Sequence, residues 1–161
     1  MEPRASRPHM PDYGVRPPDE GTGLLPWDWA VERLAATREY WVATVAQDGR
    51  PSVTPVWGAW LDGALWFSCG PTSRKARNLA NEPRCTVTTN DAKEPVIVEG
   101  RAGRRTGRGE AETFARRISE KYGTEYDPGF FARNALFRVE PETAFGLVES
   151  DFNGSPTRWQ F

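Results

Sequence analysis

The chain has 161 residues, the size of one domain that can bury a full hydrophobic core. Its 21 lysines and arginines and 22 aspartates and glutamates give a net charge of −1, which indicates neither nucleic acid nor an anionic membrane as a partner. The only histidine is His9, and Cys69 and Cys85 lack C-x-x-C spacing, which disfavours a zinc site and a histidine base. Residues 1–10 lack the apolar core of a secretory signal, so we expect a cytoplasmic protein.

Residues 1–24 are rich in proline and glycine and carry scattered charge. This composition is typical of a segment that cannot bury enough apolar surface to order itself. We therefore predict an N-terminal arm that is flexible or lies on a partner, followed by a single domain over residues 25–161. Asp28 is suited to be the N-cap of a first helix at about 28–38.

Aromatic and β-branched residues at 40–46, followed by Asp48-Gly49, predict a hairpin with a return strand at 52–60. A second turn at Asp62-Gly63 leads to a third strand at 64–69, and both faces of the first two strands are apolar, which favours a closed barrel. Pro55 cannot donate to a strand ladder. It therefore marks an edge, a bulge or a place where a ligand replaces the neighbouring strand.

The second half of the chain alternates strand and helix patterns. The predicted elements are a strand at 84–90, a long strand at 95–105 with a coil or bulge at Gly100 and Gly103, a helix at 110–122 capped by Gly123, a loop at 125–129, and closing strands at 135–139 and 143–148 on either side of Glu140-Pro141-Glu142. The apolar stripe of helix 110–122 is interpreted as core rather than as a cofactor site. The aromatic end, residues 157–161, is expected to be docked, and one interpretation places it over a site.

A short helix at 73–82 carries an unusual charge pattern. Thr72 or Ser73 supplies an N-cap hydroxyl, and the first turn then carries Arg74, Lys75 and soon Arg77. A helix N-terminus already bears about half a positive charge and favours anions, so these cations are misplaced for stability. A bound phosphate would remove the conflict, because backbone N–H groups and side-chain cations would meet one anion. The alternative is a solvated basic turn that is screened by salt.

Six segments in this order resemble the pyridoxamine 5'-phosphate oxidase-like split β-barrel family, also called the flavin/deazaflavin oxidoreductases. The segments are Tyr40-Trp41-Val42-Ala43-Thr44 with Asp48-Gly49-Arg50-Pro51, Pro55-Val56-Trp57-Gly58, Leu65-Trp66-Phe67-Ser68, Ser73-Arg74-Lys75-Ala76-Arg77-Asn78-Leu79 with Asn81-Glu82-Pro83, Val98-Glu99-Gly100-Arg101-Ala102, and Thr157-Arg158-Trp159-Gln160-Phe161. The resemblance covers about residues 26–161. It implies a mainly β fold with flanking helices, a six-stranded antiparallel split β-barrel, and a homodimer with a flavin-type cofactor in each of two interface clefts.

The resemblance also implies a cofactor site. The residues carried over for the phosphate side are Ser68, Cys69, Ser73, Arg74 and Lys75, with Asn78 orienting them, and the backbone carried over for the ring is that of Val53, Thr54, Pro55, Val56 and Trp57. A hypothetical substrate pocket would use Trp57, Arg158 and Trp159. Simple barrel or interface packing is an equal alternative for each of these aromatic side chains.

Two departures from the oxidases concern the cofactor. The chain lacks their Arg-Leu-His ending and resembles the deazaflavin branch there, and Pro95 stands where the oxidases have a glutamine that contacts the ring. The expected function is therefore a reductase dependent on coenzyme F420, which passes a hydride to a small unsaturated substrate and needs no catalytic residue of its own. The alternatives are an FMN-dependent oxidoreductase and a non-catalytic flavin- or haem-binding carrier.

Overall fold

The structure, a computed structural model, describes residues 2–161. Its strands are β1 (Arg4–Ser6), β2 (Glu39–Val45), β3 (Pro51–Leu61), β4 (Ala64–Cys69), β5 (Arg84–Thr89), β6 (Val96–Arg105), β7 (Ala135–Gly146) and β8 (Thr157–Gln160). Its helices are α1 (Trp27–Ala36), α2 (Arg74–Asn81), α3 (Arg108–Tyr122) and α4 (Pro128–Arg133), with a short 3-10 turn at Glu149–Asp151. None of the helices in residues 2–161 is long and apolar enough to cross a bilayer.

Strands β2 to β7 close into an antiparallel barrel. Their spatial order is β3-β2-β5-β6-β7-β4, and β4 returns to pair with β3. This confirms the predicted six-stranded split β-barrel with flanking helices. β8 adds to the second half of β7, and β1 adds to β8, so the expected docking of the aromatic chain end is confirmed as a strand.

The split in the barrel lies where β3 changes partners. Residues 51–57 of β3 pair with β2, whereas residues 58–61 pair with β4. If the pairing of β3 with β4 continued, Trp57 would lie opposite Ser68 and Val56 opposite Cys69. These pairs do not form, and Ser68 and Cys69 pair only with β7. The sheet therefore opens between the middle of β3 and the end of β4, and α2 follows directly from this opening.

Two local predictions near the end of the chain are wrong. Residues 135–146 form one strand rather than two, because Pro141 lies opposite Gly100 at a register shift where a missing N–H is tolerated. A Cβ at Gly100 would lie 2.1 Å from the carbonyl oxygen of Glu140, which confirms the predicted bulge and shows why glycine is required. The predicted loop at 125–129 leads into α4 instead, because Asp127 caps the backbone N–H of Gly129 and Pro128 occupies the first helical position.

The expectation of a flexible N-terminal arm also differs from the structure. Arg4–Ser6 pairs with β8 of the same chain, and the Arg7 guanidinium donates hydrogen bonds to six backbone carbonyl groups. Those carbonyls belong to Arg16, Pro17, Glu20, Gly23, Gly154 and Pro156. The composition of residues 1–24 predicts disorder because the segment has little apolar surface to bury. In the structure the Arg7 side chain, which has five N–H donors, orders the segment instead by hydrogen-bonding backbone carbonyl groups of two loops.

Candidate functional site

A cleft of about 420 Å³ lies at the split between β3 and β4. Seven of the eleven residues predicted to bind a cofactor line it: Pro55, Val56, Trp57, Ser68, Cys69, Ser73 and Lys75. Four do not line it: Val53, Thr54, Arg74 and Asn78. The structure therefore brings most of the predicted residues to one cleft, and the elements that do so are β3, the end of β4 and the first turn of α2.

The first turn of α2 has the predicted form. The Ser73 hydroxyl accepts a hydrogen bond from the Ala76 N–H at 3.3 Å, which confirms the N-cap. The turn contains no acidic residue, and none of the ion pairs within residues 2–161 includes Arg74, Lys75 or Arg77. The positive charge at this helix end is therefore not balanced by a carboxylate in the described chain.

Helical geometry separates the predicted phosphate-binding residues. Ser73 and Lys75 line the cleft, whereas Arg74 and Asn78 face a second hollow on another side of α2. Asn78 is buried, and its Nδ2 donates to the Thr44 hydroxyl at 3.0 Å, which ties α2 to β2. Asn78 thus fixes the orientation of the helix that presents Lys75.

The middle of β3 borders the cleft with one strand edge that has no neighbouring strand. Pro55 lies in this half of β3, consistent with its interpretation as an edge residue, and pairs only with Trp41 of β2. The Thr54 hydroxyl oxygen is buried and has no hydrogen-bond partner among the described residues. A buried hydroxyl without a partner costs about 1–3 kcal/mol, and Thr54 does not itself line the cleft.

The opposite wall of the cleft is aromatic and was not predicted. It consists of Phe114 and Ile118 from α3 together with Tyr126, Phe130, Phe131 and Asn134 around α4. Phe131 packs edge-on against Phe114 with ring centroids 4.8 Å apart, and Phe130 remains 45% exposed. The density of aromatic residues at 126–131 was the available signal, but only the packing of α4 on α3 brings them to the cleft.

The C-terminal end of α3 holds β3 at its change of partner. The buried N–H of Gly58 donates to the Tyr122 hydroxyl at 3.1 Å, and that hydroxyl donates to the Arg38 carbonyl oxygen. Lys121 donates to the Gly58 carbonyl oxygen at 2.9 Å. The Tyr122 ring stacks on Trp57, with centroids 4.1 Å apart and planes 3° from parallel. The indole at the cleft is therefore held by α3.

Tyr122→Phe is expected to lower the free energy of unfolding by about 1–3 kcal/mol, because the buried N–H of Gly58 loses its acceptor while the ring stack remains. Urea unfolding monitored by circular dichroism measures the change. The matched control is Tyr126→Phe, whose hydroxyl makes no hydrogen bond within residues 2–161 and whose replacement should cost less than about 0.5 kcal/mol. Equal losses in both variants would contradict this role of the Tyr122 hydroxyl.

Lys121 should give stability a distinct pH dependence. Burial, with the nearby Arg38 charge, lowers the pKa of Lys121 from 10.5 to about 8. Between pH 8 and pH 10.5, Lys121 is still protonated in the unfolded chain but neutral in the folded chain. The contribution of Lys121 therefore makes the free energy of unfolding rise with pH. We expect wild type to gain stability relative to Lys121→Met from pH 7.5 to 9 in urea unfolding. The exposed control Lys93→Met should follow wild type, and a constant difference between wild type and Lys121→Met would contradict the shift.

The residues predicted for the substrate pocket are not brought together. Trp57 lines the cleft, but Trp159 is fully buried in a separate core cluster that includes Leu34 and Val98. Its ring lies 5.4 Å from that of Trp27, and Arg158 points outward on the same short strand. The assignment of Trp159 to the substrate pocket is therefore wrong, because alternation along β8 turns the indole into the core of its own chain.

Comparisons with known proteins agree with this fold. A family model described as pyridoxamine 5'-phosphate oxidase matches residues 28–147, and no curated protein matches the chain significantly. Three similar solved structures are a conserved hypothetical protein from Mycobacterium tuberculosis (20% identity, TM-score 0.69, 84% of this chain and 85% of that chain), an F420 reductase (23%, 0.58, 70% and 94%) and an FAD-binding protein from Mesorhizobium loti (20%, 0.62, 85% and 96%). At these identities the likeness shows the fold alone. Because the family model spans the chain from α1 through β7, the chain belongs to the pyridoxamine 5'-phosphate oxidase family.

Proposed function

We propose that this protein is an oxidoreductase that holds coenzyme F420 in the cleft and passes a hydride between it and a small unsaturated organic substrate. One observation carries the proposal: the cleft joins a cationic end, at Ser73 and Lys75, to an aromatic wall. A phosphate suits the first and a flat ring suits the second. The family consists mostly of flavin-dependent oxidoreductases, although some members are not catalytic.

The residues at the cleft fit such a coenzyme. The cations of α2 have no carboxylate partner in residues 2–161. Ser73 and Lys75 would hold the phosphate, and Pro55 to Trp57 would border the ring. The phosphate would then balance the Lys75 cation, which no carboxylate of the described chain neutralises.

The lining of the cleft also fits chemistry supplied by a coenzyme. None of its described lining residues is a histidine, aspartate or glutamate. A bound deazaflavin supplies the hydride, and the chain contributes binding, orientation and exclusion of water. Trp57, held against Tyr122, provides a rigid apolar surface at the cleft.

Two observations favour coenzyme F420 over FMN. The resemblance places Pro95 where the oxidases have a ring-contacting glutamine, and one of the similar structures is an F420 reductase. The test is fluorescence titration of the purified protein with oxidised coenzyme F420 and, separately, with FMN. We expect saturable binding of coenzyme F420, and tighter binding of FMN would favour the flavin enzyme instead. Reoxidation of the bound, reduced coenzyme by enones or quinones should follow, and its failure with every acceptor would indicate a carrier.

We further propose that the protein is a homodimer whose interface is the outer face of β2 and β3. Trp41, Val45, Val53 and Trp57 are each 38–58% exposed. The strand register places Trp41 beside Pro55 and Ala43 beside Val53, which makes these side chains a continuous apolar face. A second copy of the chain is the occupant that would cover this face, and Trp57 would then place the cleft at the interface.

Val53→Asp should convert the dimer to a monomer, because it buries an unpaired carboxylate at the centre of that face. Light scattering after size-exclusion chromatography should show a fall from twice the chain mass to the chain mass. Thr106→Asp, at an exposed position after β6, adds the same charge and should leave the dimer intact. Dissociation of both variants, or of neither, would place the interface elsewhere.

A further inference from the structure

A pocket of about 340 Å³ lies between the first half of α3 and the outer face of the barrel, next to the turn that joins β3 to β4. We call this cavity the α3 pocket. Its lining comes from Leu61 and Asp62 at that turn, Trp66 of β4, Arg105 and Arg138 of β6 and β7, and the first turns of α3. Its volume is within the usual range for small-molecule sites.

The α3 pocket contains a buried donor that lacks an acceptor. Trp66 is 8% exposed, and its indole Nε1 makes no hydrogen bond with the described residues. No other described lining residue of the pocket has a buried side-chain polar atom without a partner. Almost all buried N–H groups in folded proteins are paired, because an unpaired one is costly. The Trp66 N–H therefore favours a ligand that carries a hydrogen-bond acceptor.

The charges around the α3 pocket cancel. Arg105 forms an ion pair with Glu110 of α3 at 2.8 Å. Arg138 forms an ion pair with Glu140 and donates to the backbone carbonyl oxygen of Asp62 at 3.2 Å. The two lining arginines are thus matched by two lining carboxylates, those of Asp62 and Glu110. A lining without net charge cannot compensate an ion for leaving water, so the pocket favours an uncharged ligand.

The rest of the lining is apolar or open. Leu61, Phe114 and the ring of Trp66 provide apolar surface. Gly109, in the first turn of α3, leaves space, since a Cβ at this position would meet no other atom within 4 Å. Phe114 is the one described residue that lines both this pocket and the cleft. The α3 pocket is therefore separate from the cleft proposed to hold the coenzyme.

We propose that the α3 pocket binds a small uncharged amide with a flat apolar body. The amide carbonyl oxygen accepts the hydrogen bond from Trp66 Nε1, and the amide N–H groups donate to the carboxylates of Asp62 and Glu110. The apolar body packs against Leu61 and Phe114. No group of the coenzyme takes part, so this inference does not rest on the proposed function.

NMR titration of the full, 15N-labelled chain tests this with three flat ligands of the same shape. They are benzamide, which is uncharged, benzoate, which is negative, and benzamidine, which is positive. The seven tryptophans give seven indole N–H signals, and the Trp66 signal is the one that Trp66→Phe removes. We expect benzamide to shift the Trp66 signal saturably. The two ions should bind at least about tenfold more weakly, because their charge is not compensated.

Two substitutions test the site itself, with the backbone N–H signal of Thr113 as the second reporter. Trp66→Phe should weaken binding of benzamide about fivefold, the loss of one hydrogen bond. Gly109→Leu fills the pocket and should weaken binding at least about tenfold. It should keep the fold, because leucine favours a helix more than glycine does.

Trp29→Phe is the matched control for the loss of an indole. Its side chain stacks on Trp159 in the separate cluster beneath α1, and the variant should bind benzamide as wild type does. Three results would each overturn the inference: no shift of the Trp66 signal with benzamide, unchanged binding in Gly109→Leu, or tighter binding of either ion.

Discussion

Replacing Arg74 and Lys75 together by alanine is expected to weaken coenzyme binding by about 100- to 10,000-fold. Each cation would make a charge-assisted hydrogen bond to an anionic group of the coenzyme, worth about 1.5–3 kcal/mol, and about 1.4 kcal/mol corresponds to a factor of ten. Fluorescence titration with coenzyme F420 measures the loss. The fold should survive, because neither side chain takes part in an ion pair within residues 2–161.

The control for this double variant removes the same charge elsewhere. Arg104 and Arg116 are exposed, line neither the cleft nor the second hollow, and form no ion pair in the described chain. Their joint replacement by alanine should leave binding within about threefold of wild type, since only screened long-range attraction is lost. Normal binding by the Arg74 and Lys75 variant would mean that the phosphate site lies elsewhere.

Trp159→Ala should lower the free energy of unfolding by about 3–5 kcal/mol, the usual cost of emptying a fully buried aromatic site. The Trp159 side chain is 0% exposed and packs with Trp27 and Trp29 beneath α1. A domain of this size has a total stability of about 5–15 kcal/mol, so the variant would lose a large share of it. Urea unfolding at 25 °C, followed by far-ultraviolet circular dichroism, gives the change.

Arg158→Ala is the matched control for this core substitution. Its side chain lies on the outward face of β8 and forms no ion pair among residues 2–161, so its removal should cost less than about 0.5 kcal/mol. If Trp159→Ala proved too unstable to study, Trp159→Phe should show an intermediate loss. A stable Trp159→Ala protein that fails only to turn over substrate would restore the substrate-pocket interpretation.

The parts of the fold set by short-range chemistry could be predicted from the sequence. The start of α2 after Ser73 follows from a hydroxyl cap, and the observed bond to Ala76 is the one such a cap makes. The end of α3 follows from Gly123, which has a φ of 66°, in the left-handed region that favours glycine. These signals involve residues within one helical turn of each other, so one sequence is enough to detect them.

The parts that depend on distant contacts could not be predicted. The inward side of Trp159 depends on the pairing of β8 with β7, and the docking of the arm depends on Arg7 meeting carbonyl groups nearly 150 residues away. The split of the basic residues between cleft and hollow follows from the burial of Asn78 and Leu79. The basic residues around the first turn of α2 could be identified from the sequence, but the side of α2 on which each one lies could not.

The pairing of β1 with β8 has a consequence for the order in which the molecule takes shape. Arg4 lies opposite Gln160, so the first strand has no partner until the last one has left the ribosome. The barrel strands between them can assemble earlier through hairpins with much shorter sequence separations. Strand β1 is thus translated before the barrel strands and is among the last of the described strands to acquire its native contacts.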